Sequence, residues 1–171
     1  MLWIKSNEGK DAQENQNLRE NIYRKHLQDS IITEAVFSDG TEQFLNPSEP
    51  KPGEALTIRI RTAMENVDKV VLVANGKEYT MEQAEQDALF DYYQKTIKTP
   101  KEKLKYYFIL QRNGQICYYC RIGVRDRETC EKYPFFVLPG FSTPKWAKGA
   151  VMYQIFVDRF CNGDTENDVL P

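Results

Sequence analysis

The 171-residue sequence contains a single histidine, His26. That count excludes multi-histidine metal centres and leaves histidine acid–base chemistry with one candidate. Charge of one sign is equally scarce, with 23 basic residues against 25 acidic for a net of −2. No basic footprint for nucleic acid is present, and steering by bulk charge is not expected. No stretch approaches the ~20 apolar residues of a membrane-spanning helix. The opening Met1-Leu2-Trp3-Ile4 run is far shorter than the ~7–15 residues of a signal-peptide core. These absences point to a cytoplasmic protein, or to a mature one without its leader. Four cysteines, Cys117, Cys120, Cys130 and Cys161, do not make a disulfide scaffold at this length. Cys117 and Cys120 form a CxxC in a segment that reads as a strand, where a spacing of three puts the side chains on opposite faces. Reduced cysteines packed as small hydrophobes are expected there, over zinc or redox chemistry.

What is there suffices for a core. Hydrophobic residues make up 41% and charged residues 28%, outside the range of a disordered chain. The length fits one domain, or one domain plus a piece of another. Aromatics reach 12%, with 10 tyrosines, which leans towards β structure or a stacking surface. Residues 1–30 form a polar arm. Within it Leu18, Ile22 and Leu27 fall roughly at helical spacing, so the alternatives are an amphipathic helix over about 12–28 and a frayed terminus.

From 31 to 140 the punctuation is that of an all-β domain. Asp39-Gly40, Asn75-Gly76 and Asn113-Gly114 supply the positive φ values of two-residue hairpins. Ala35-Val36-Phe37 and Val70-Val71-Leu72-Val73 precede the first two. Leu56-Thr57-Ile58-Arg59-Ile60-Arg61 alternates cleanly between core and water. Further strands are predicted near 88–97, 104–111, 115–121 and 134–138. Seven or eight short strands with frequent turns indicate an immunoglobulin-like β-sandwich, without the inter-sheet disulfide of antibody domains. Glu82, Glu85 and Asp87 read as solvated loop charges.

The third hairpin fixes a register. Arg112 opposite Gln115 carries Ile109 opposite Tyr118. Leu104, Tyr106, Phe108 and Leu110 then face inward with Cys117 and Tyr119. Tyr107 and Tyr118 meet on the outer face, where two rings can stack a sugar or merely pad the sheet.

After Pro139-Gly140 comes a linker, then Ala150-Val151-Met152-Tyr153-Gln154-Ile155-Phe156-Val157, an apolar run suited to a strand buried on both faces. An oxygen-rich loop follows at 162–168. The segment TPKWAKGAVMYQIFVDRFCNGDTENDVLP resembles the entry to the catalytic barrel of glycoside hydrolase family 13. Its nearest likeness is the neopullulanase, cyclomaltodextrinase and maltogenic amylase subgroup, whose barrels open W-x-K-x-A-V-x-Y-Q-I-F-P-D/E-R-F-x-N-G-D-P-x-N-D. Val157 and Thr165 replace prolines of that pattern, and Cys161 stands where a small residue is common. LFDYY, LKYYFIL and CYYCRIG resemble strands of the subgroup's starch-binding module, carbohydrate-binding module family 34.

The resemblance implies a sandwich at 31–140, then a linker and the first β-strand of an incomplete (β/α)8 barrel over 141–171. It implies α-glucan or maltooligosaccharide as ligand, a homodimer in the parent enzyme, and structural calcium held in part by Asn162, Asp164, Asn167 and Asp168. Hard oxygens at these positions suit calcium, and a solvated turn capping the next helix is the alternative reading of the same residues. The family hydrolyses α-glucosidic bonds with retention through carboxylates on later barrel strands. The chain by itself is therefore expected to be inactive, a truncated piece of such an enzyme. A sandwich that binds no sugar and serves only as a dimerisation module is the other expectation.

Overall fold

A computed structural model describes residues 30–154 together with 16, 17, 19 and 20, the last four exposed and helical. The chain divides into two units, Met1–Phe141 and Ser142–Pro171. The described residues of the first form ten strands. They are β1 (Leu45–Asn46), β2 (Ala55–Ala63), β3 (Lys69–Ala74), β4 (Lys77–Thr80), β5 (Glu82–Gln86), β6 (Phe90–Lys98), β7 (Leu104–Arg112), β8 (Gln115–Cys120), β9 (Gly123–Arg125) and β10 (Phe135–Val137). One short helix, α1 (Arg127–Lys132), precedes β10. Among the described residues no helix is long and apolar enough to cross a membrane.

All pairings are antiparallel. One sheet runs β1-β2-β6-β5, the other β4-β3-β7-β8-β9 with β10 joined to β7. This is the all-β, immunoglobulin-like sandwich expected from the strand pattern. Leu56, Ile58 and Ile60 on β2 are fully buried, as the alternation requires, and share one core with Val70, Leu72, Tyr93, Ile97, Phe108 and Leu110. Tyr106 stacks on Phe135 at 5.2 Å between centroids, and Phe108 meets Phe135 edge-on at 6.0 Å. Such geometries add about 0.5–1.5 kcal/mol each beyond area burial.

Two of the three expected hairpins form. Asn75 and Gly76 have φ of 46° and 79°, and Asn113 and Gly114 43° and 80°, so β3–β4 and β7–β8 are each closed by two residues in the left-handed region. Arg112 pairs with Gln115 and Ile109 with Tyr118. Asp39-Gly40 is not such a turn. Asp39 Oδ1 accepts the Thr41 N–H at 2.9 Å and the Thr41 hydroxyl at 2.7 Å, an Asx arrangement that closes a different bend. Ahead of it Thr33–Ala35 is a 3-10 turn, and Phe37 makes only a single bridge, to Arg61. A local side-chain acceptor outcompetes the ladder here.

Residues 82–86, read from sequence as loop, form edge strand β5 with every side chain exposed. Arg59 donates to Glu85 at 2.8 Å and Lys95 to Glu82 at 2.9 Å. These cross-strand pairs are worth about 0.2–1 kcal/mol each at such exposure, and they mark the outer side of the sheet. In the second unit the Ala147 N–H reaches the Pro144 carbonyl at 2.9 Å. Val151, Met152 and Tyr153 are exposed and 150–154 carry no strand in this chain, where the strand expected at 150–157 is one buried within a larger barrel. A strand needs a neighbour to complete its ladder, and the described part of this unit offers none. Residues 155–157 lie outside the described residues.

Candidate functional site

The outer face of the second sheet carries the tyrosine pair. Because Ile109 sits opposite Tyr118, Tyr107 and Tyr118 are diagonal neighbours, with ring centroids 6.5 Å apart and planes tilted 51°. The pair meets as the register requires, but it is not an open platform. Tyr107 is only 8% exposed, and Tyr118 is half-buried. Helix α1 covers them: Cys130, wholly buried, packs with Cys120, Tyr107 and Val73, with Tyr118 and Ile109 at the margin. Packed under α1, the Tyr107 ring is closed off from the open outer face on which the two rings were expected to lie.

Local chemistry explains the cover. Asp126 caps α1, accepting the Thr129 N–H at 2.8 Å and the Thr129 hydroxyl at 2.7 Å. These bonds, the Thr129 amide first, hold its carboxyl below the usual range. An Asp cap satisfies a donor that helix geometry leaves free. The helix has one buried residue in six, too little periodicity to be read from sequence, although the Asp-x-x-Thr cap is a usable signal.

The cover makes a cleft of about 290 Å3 between α1, β7 and the β3–β4 hairpin. Val73, Tyr107 and Pro134 give its lining an apolar part. Four charged groups line its sides, with Arg127 and Glu131 on α1, Lys105 on β7 and Glu78 on β4. Glu131 Oε1 accepts Arg127 Nε–H at 2.9 Å and the Tyr107 hydroxyl at 3.4 Å. Burial first, and then the Glu131 charge, push the Tyr107 hydroxyl above its ordinary value, so it stays a donor. Asn75 is spent on structure, accepting the Lys105 N–H at 2.8 Å and donating to the Lys103 carbonyl at 3.3 Å. The hairpin rim at Gly76 is open, since a Cβ there would meet nothing within 4 Å. Sequence reasoning named Tyr107 and missed Lys105, Glu78, Arg127 and Glu131, which come together only through α1 and two hairpins.

Residues 32–141 match a family described as alpha amylase, N-terminal Ig-like domain. The chain belongs to that family. Its likeness to cyclomaltodextrinases, neopullulanases and maltogenic amylases runs beyond the motif at 143–168. A cyclomaltodextrinase of Bacillus sp is 33% identical over 130 residues, which are 68% of this chain and 23% of that protein. Neopullulanase 2 of Thermoactinomyces vulgaris is 29% identical over 153 residues, 81% of this chain and 26% of the relative. A solved cyclomaltodextrinase structure superposes with a TM-score of 0.54 at 27% identity, covering 81% of this chain and 26% of that one. The chain thus spans about a quarter of the length of the curated relatives it matches.

In this alpha-amylase N-terminal Ig-like domain the two cysteines of the CxxC lie on opposite faces of the sheet, as the strand spacing predicts. Cys117 packs on the inter-sheet core while Cys120 is buried on the opposite face, and both are free thiols. Among the described residues no three His, Cys, Asp or Glu side chains are grouped to hold a metal. Asn162, Asp164, Asn167 and Asp168, the positions expected to ligate calcium, lie outside the described residues.

Proposed function

We propose that the sandwich is an α-glucan-binding module of an α-amylase-family hydrolase, and that the cleft under α1 takes the glucan. The observation that carries this is the lining, in which acceptors (Glu78, Glu131) and donors (Arg127, Lys105) stand with the apolar Val73 and Pro134. Vicinal sugar hydroxyls both donate and accept, and the C–H faces of the ring need an apolar surface, so this mixture suits a glucosyl unit. The volume of about 290 Å3 lies just under the range of ligand sites, about 300–1,000 Å3. It holds one or two sugar rings rather than a long chain. The relatives' names speak of cyclomaltodextrin and pullulan, both α-glucans, which supports the ligand class. On this reading the module binds, in the cytoplasm, and hydrolysis belongs to a barrel of the longer enzyme. Calcium held in part by Asn162, Asp164, Asn167 and Asp168 goes with that barrel, because their oxygens are the hard donors calcium takes.

Isothermal titration of the chain with maltoheptaose tests the reading. Saturable heat at millimolar ligand is expected, weakened about tenfold or more in Glu131→Ala through loss of a charge-assisted hydrogen bond. No heat at that concentration overturns it.

A second reading, homodimerisation without sugar binding, has its own observation. Leu138 and Phe141 are 49% and 60% exposed and line an apolar groove with Leu45 and Val137. Exposed apolar patches commonly mark interfaces. Sedimentation of Leu138→Asp separates the two: a lost dimer with intact maltoheptaose binding assigns the groove to assembly and the cleft to sugar.

A further inference from the structure

Next to the cleft, and sharing Lys105, Glu131 and Pro134 with it, lies a second hollow of about 240 Å3. Four cations from four places in the chain border it: Lys103 ahead of β7, Lys105 on β7, Arg121 just past β8 and Lys132 in the last turn of α1. Two of them stand over the half-exposed ring of Phe136. Lys103 Nζ stands 4.1 Å from its centroid and Arg121 Cζ 5.9 Å. Lys132 Nζ stands 5.7 Å from the Tyr133 ring beside it. Glu131 is the acid at this border, and its Oε1 already receives Arg127 and Tyr107. Among the described residues none of the four cations forms an ion pair.

This concentration of positive charge occurs in a protein whose net charge is −2. Cation–π contacts hold Lys103 and Arg121 over Phe136 without neutralising them. The mutual repulsion of the four is turned into attraction by an anion placed among them. The donors suit a phosphate monoester in particular. It carries a charge near −2 and three strong acceptor oxygens, a guanidinium can grip two of those oxygens at once, and ammonium groups serve as point charges for the rest.

We infer that this hollow binds a phosphate ester borne by the same glucan that enters the neighbouring cleft, so that the ligand is a phosphorylated maltooligosaccharide. The inference rests on the glucan reading of the cleft. The two hollows share wall residues, and a glucosyl ring in the first presents hydroxyls around its whole circumference. A phosphate esterified to a hydroxyl on the side of the shared residues Lys105, Glu131 and Pro134 is directed toward the second hollow.

The test compares three probes by isothermal titration at low salt: maltotriose, maltotriose carrying one 6-phosphate, and inorganic phosphate. The phosphorylated sugar is expected to bind about tenfold or more tightly than maltotriose, the range of one or two charge-assisted hydrogen bonds. That advantage should vanish as ionic strength rises. It should also vanish in Lys103→Glu/Arg121→Glu, whose affinity for plain maltotriose stays at the wild-type value and whose melting temperature confirms folding. Equal affinity for maltotriose with and without phosphate overturns the inference and leaves the glucan reading standing. Inorganic phosphate binding as tightly as the sugar phosphate also overturns it, by making the hollow an anion site unconnected with glucan. Failure of both sugars overturns the glucan reading and this inference together.

Discussion

The Tyr107 hydroxyl donates to Glu131 Oε1 at 3.4 Å, tying the middle of β7 to the second turn of α1. The same oxygen accepts Arg127 Nε–H at 2.9 Å, so one carboxylate joins two residues of the cleft lining. Tyr107→Phe keeps the buried ring and removes one hydrogen bond. A stability loss of about 1 kcal/mol is expected, whereas Tyr107→Ala should cost about 3–5 kcal/mol by leaving a cavity under the helix. Chemical denaturation of the two variants gives the comparison, and equal losses would mean that the ring is not packed as described.

Asn66 pins the segment entering the sandwich. Its Oδ1 accepts the Ile32 N–H at 2.7 Å and its Nδ2 donates to the Ser30 carbonyl at 3.0 Å. Both Asn66 and Ile32 are 1% exposed, so water cannot replace the lost partner. Asn66→Ala should destabilise the domain by about 1–3 kcal/mol, read from the urea midpoint at unchanged slope.

At the acid end, Asp87 is the informative group. Its Oδ1 accepts the Leu89 and Phe90 N–H groups at 2.8 Å each, and its Oδ2 accepts the Tyr92 hydroxyl at 3.2 Å. The Leu89 amide leads in holding its carboxyl below the ordinary 3.8. A depressed folded value contributes stability that is present above 3.8 and is lost as pH falls through the folded value. Melting temperatures of Asp87→Ala and wild type should therefore differ at pH 6 and converge as pH falls below 3.8 and through the folded value.

The alkaline end runs the other way. Burial pushes the Tyr93 hydroxyl up to about 12, with the charges of Asp91 and Asp68 adding to it. A raised folded value contributes stability that is complete below the unfolded value near 10 and disappears as pH climbs through the folded one. Tyr93→Phe should extend the alkaline limit of the fold, followed by tyrosinate absorbance together with circular dichroism. An unchanged limit would place the ring in water.

Thiol chemistry reports on the helix cover. Burial raises Cys117 to about 11 and Cys130 to about 12, the Cys120 thiol adding to the latter. Little thiolate is then available near neutral pH. A disulfide reagent at pH 8 should leave Cys117, Cys120 and Cys130 unmodified in the folded protein, as mapped by mass spectrometry. Asp126→Ala, which loosens α1, should expose Cys130 and Cys120 to the reagent while leaving Cys117 protected.

Much of this architecture is written in short stretches of sequence. The alternation of Leu56, Ile58 and Ile60 assigns a face because strand side chains repeat every two residues. Asn75-Gly76 and Asn113-Gly114 close hairpins because positive φ is cheap for those residues. The second turn even carries the register that sets Tyr107 beside Tyr118. Such information lies between neighbours in the chain, and the likeness at 143–168 is of the same local kind.

The site is another matter. Whether Tyr107 met water or protein depended on Arg127–Lys132, a stretch with one buried side chain and no apolar period to announce it. Asp39-Gly40 has the letters of a hairpin but bends otherwise, because Thr41 offered Asp39 a closer partner than a strand could. Glu78, Lys105, Arg127 and Glu131 share a cleft although they span 54 positions of the chain. Chain order alone thus set which residues could form strands and which way they faced. Only the packed sandwich decided which charges stand together, because proximity across a cleft depends on contacts between distant segments that no local preference encodes.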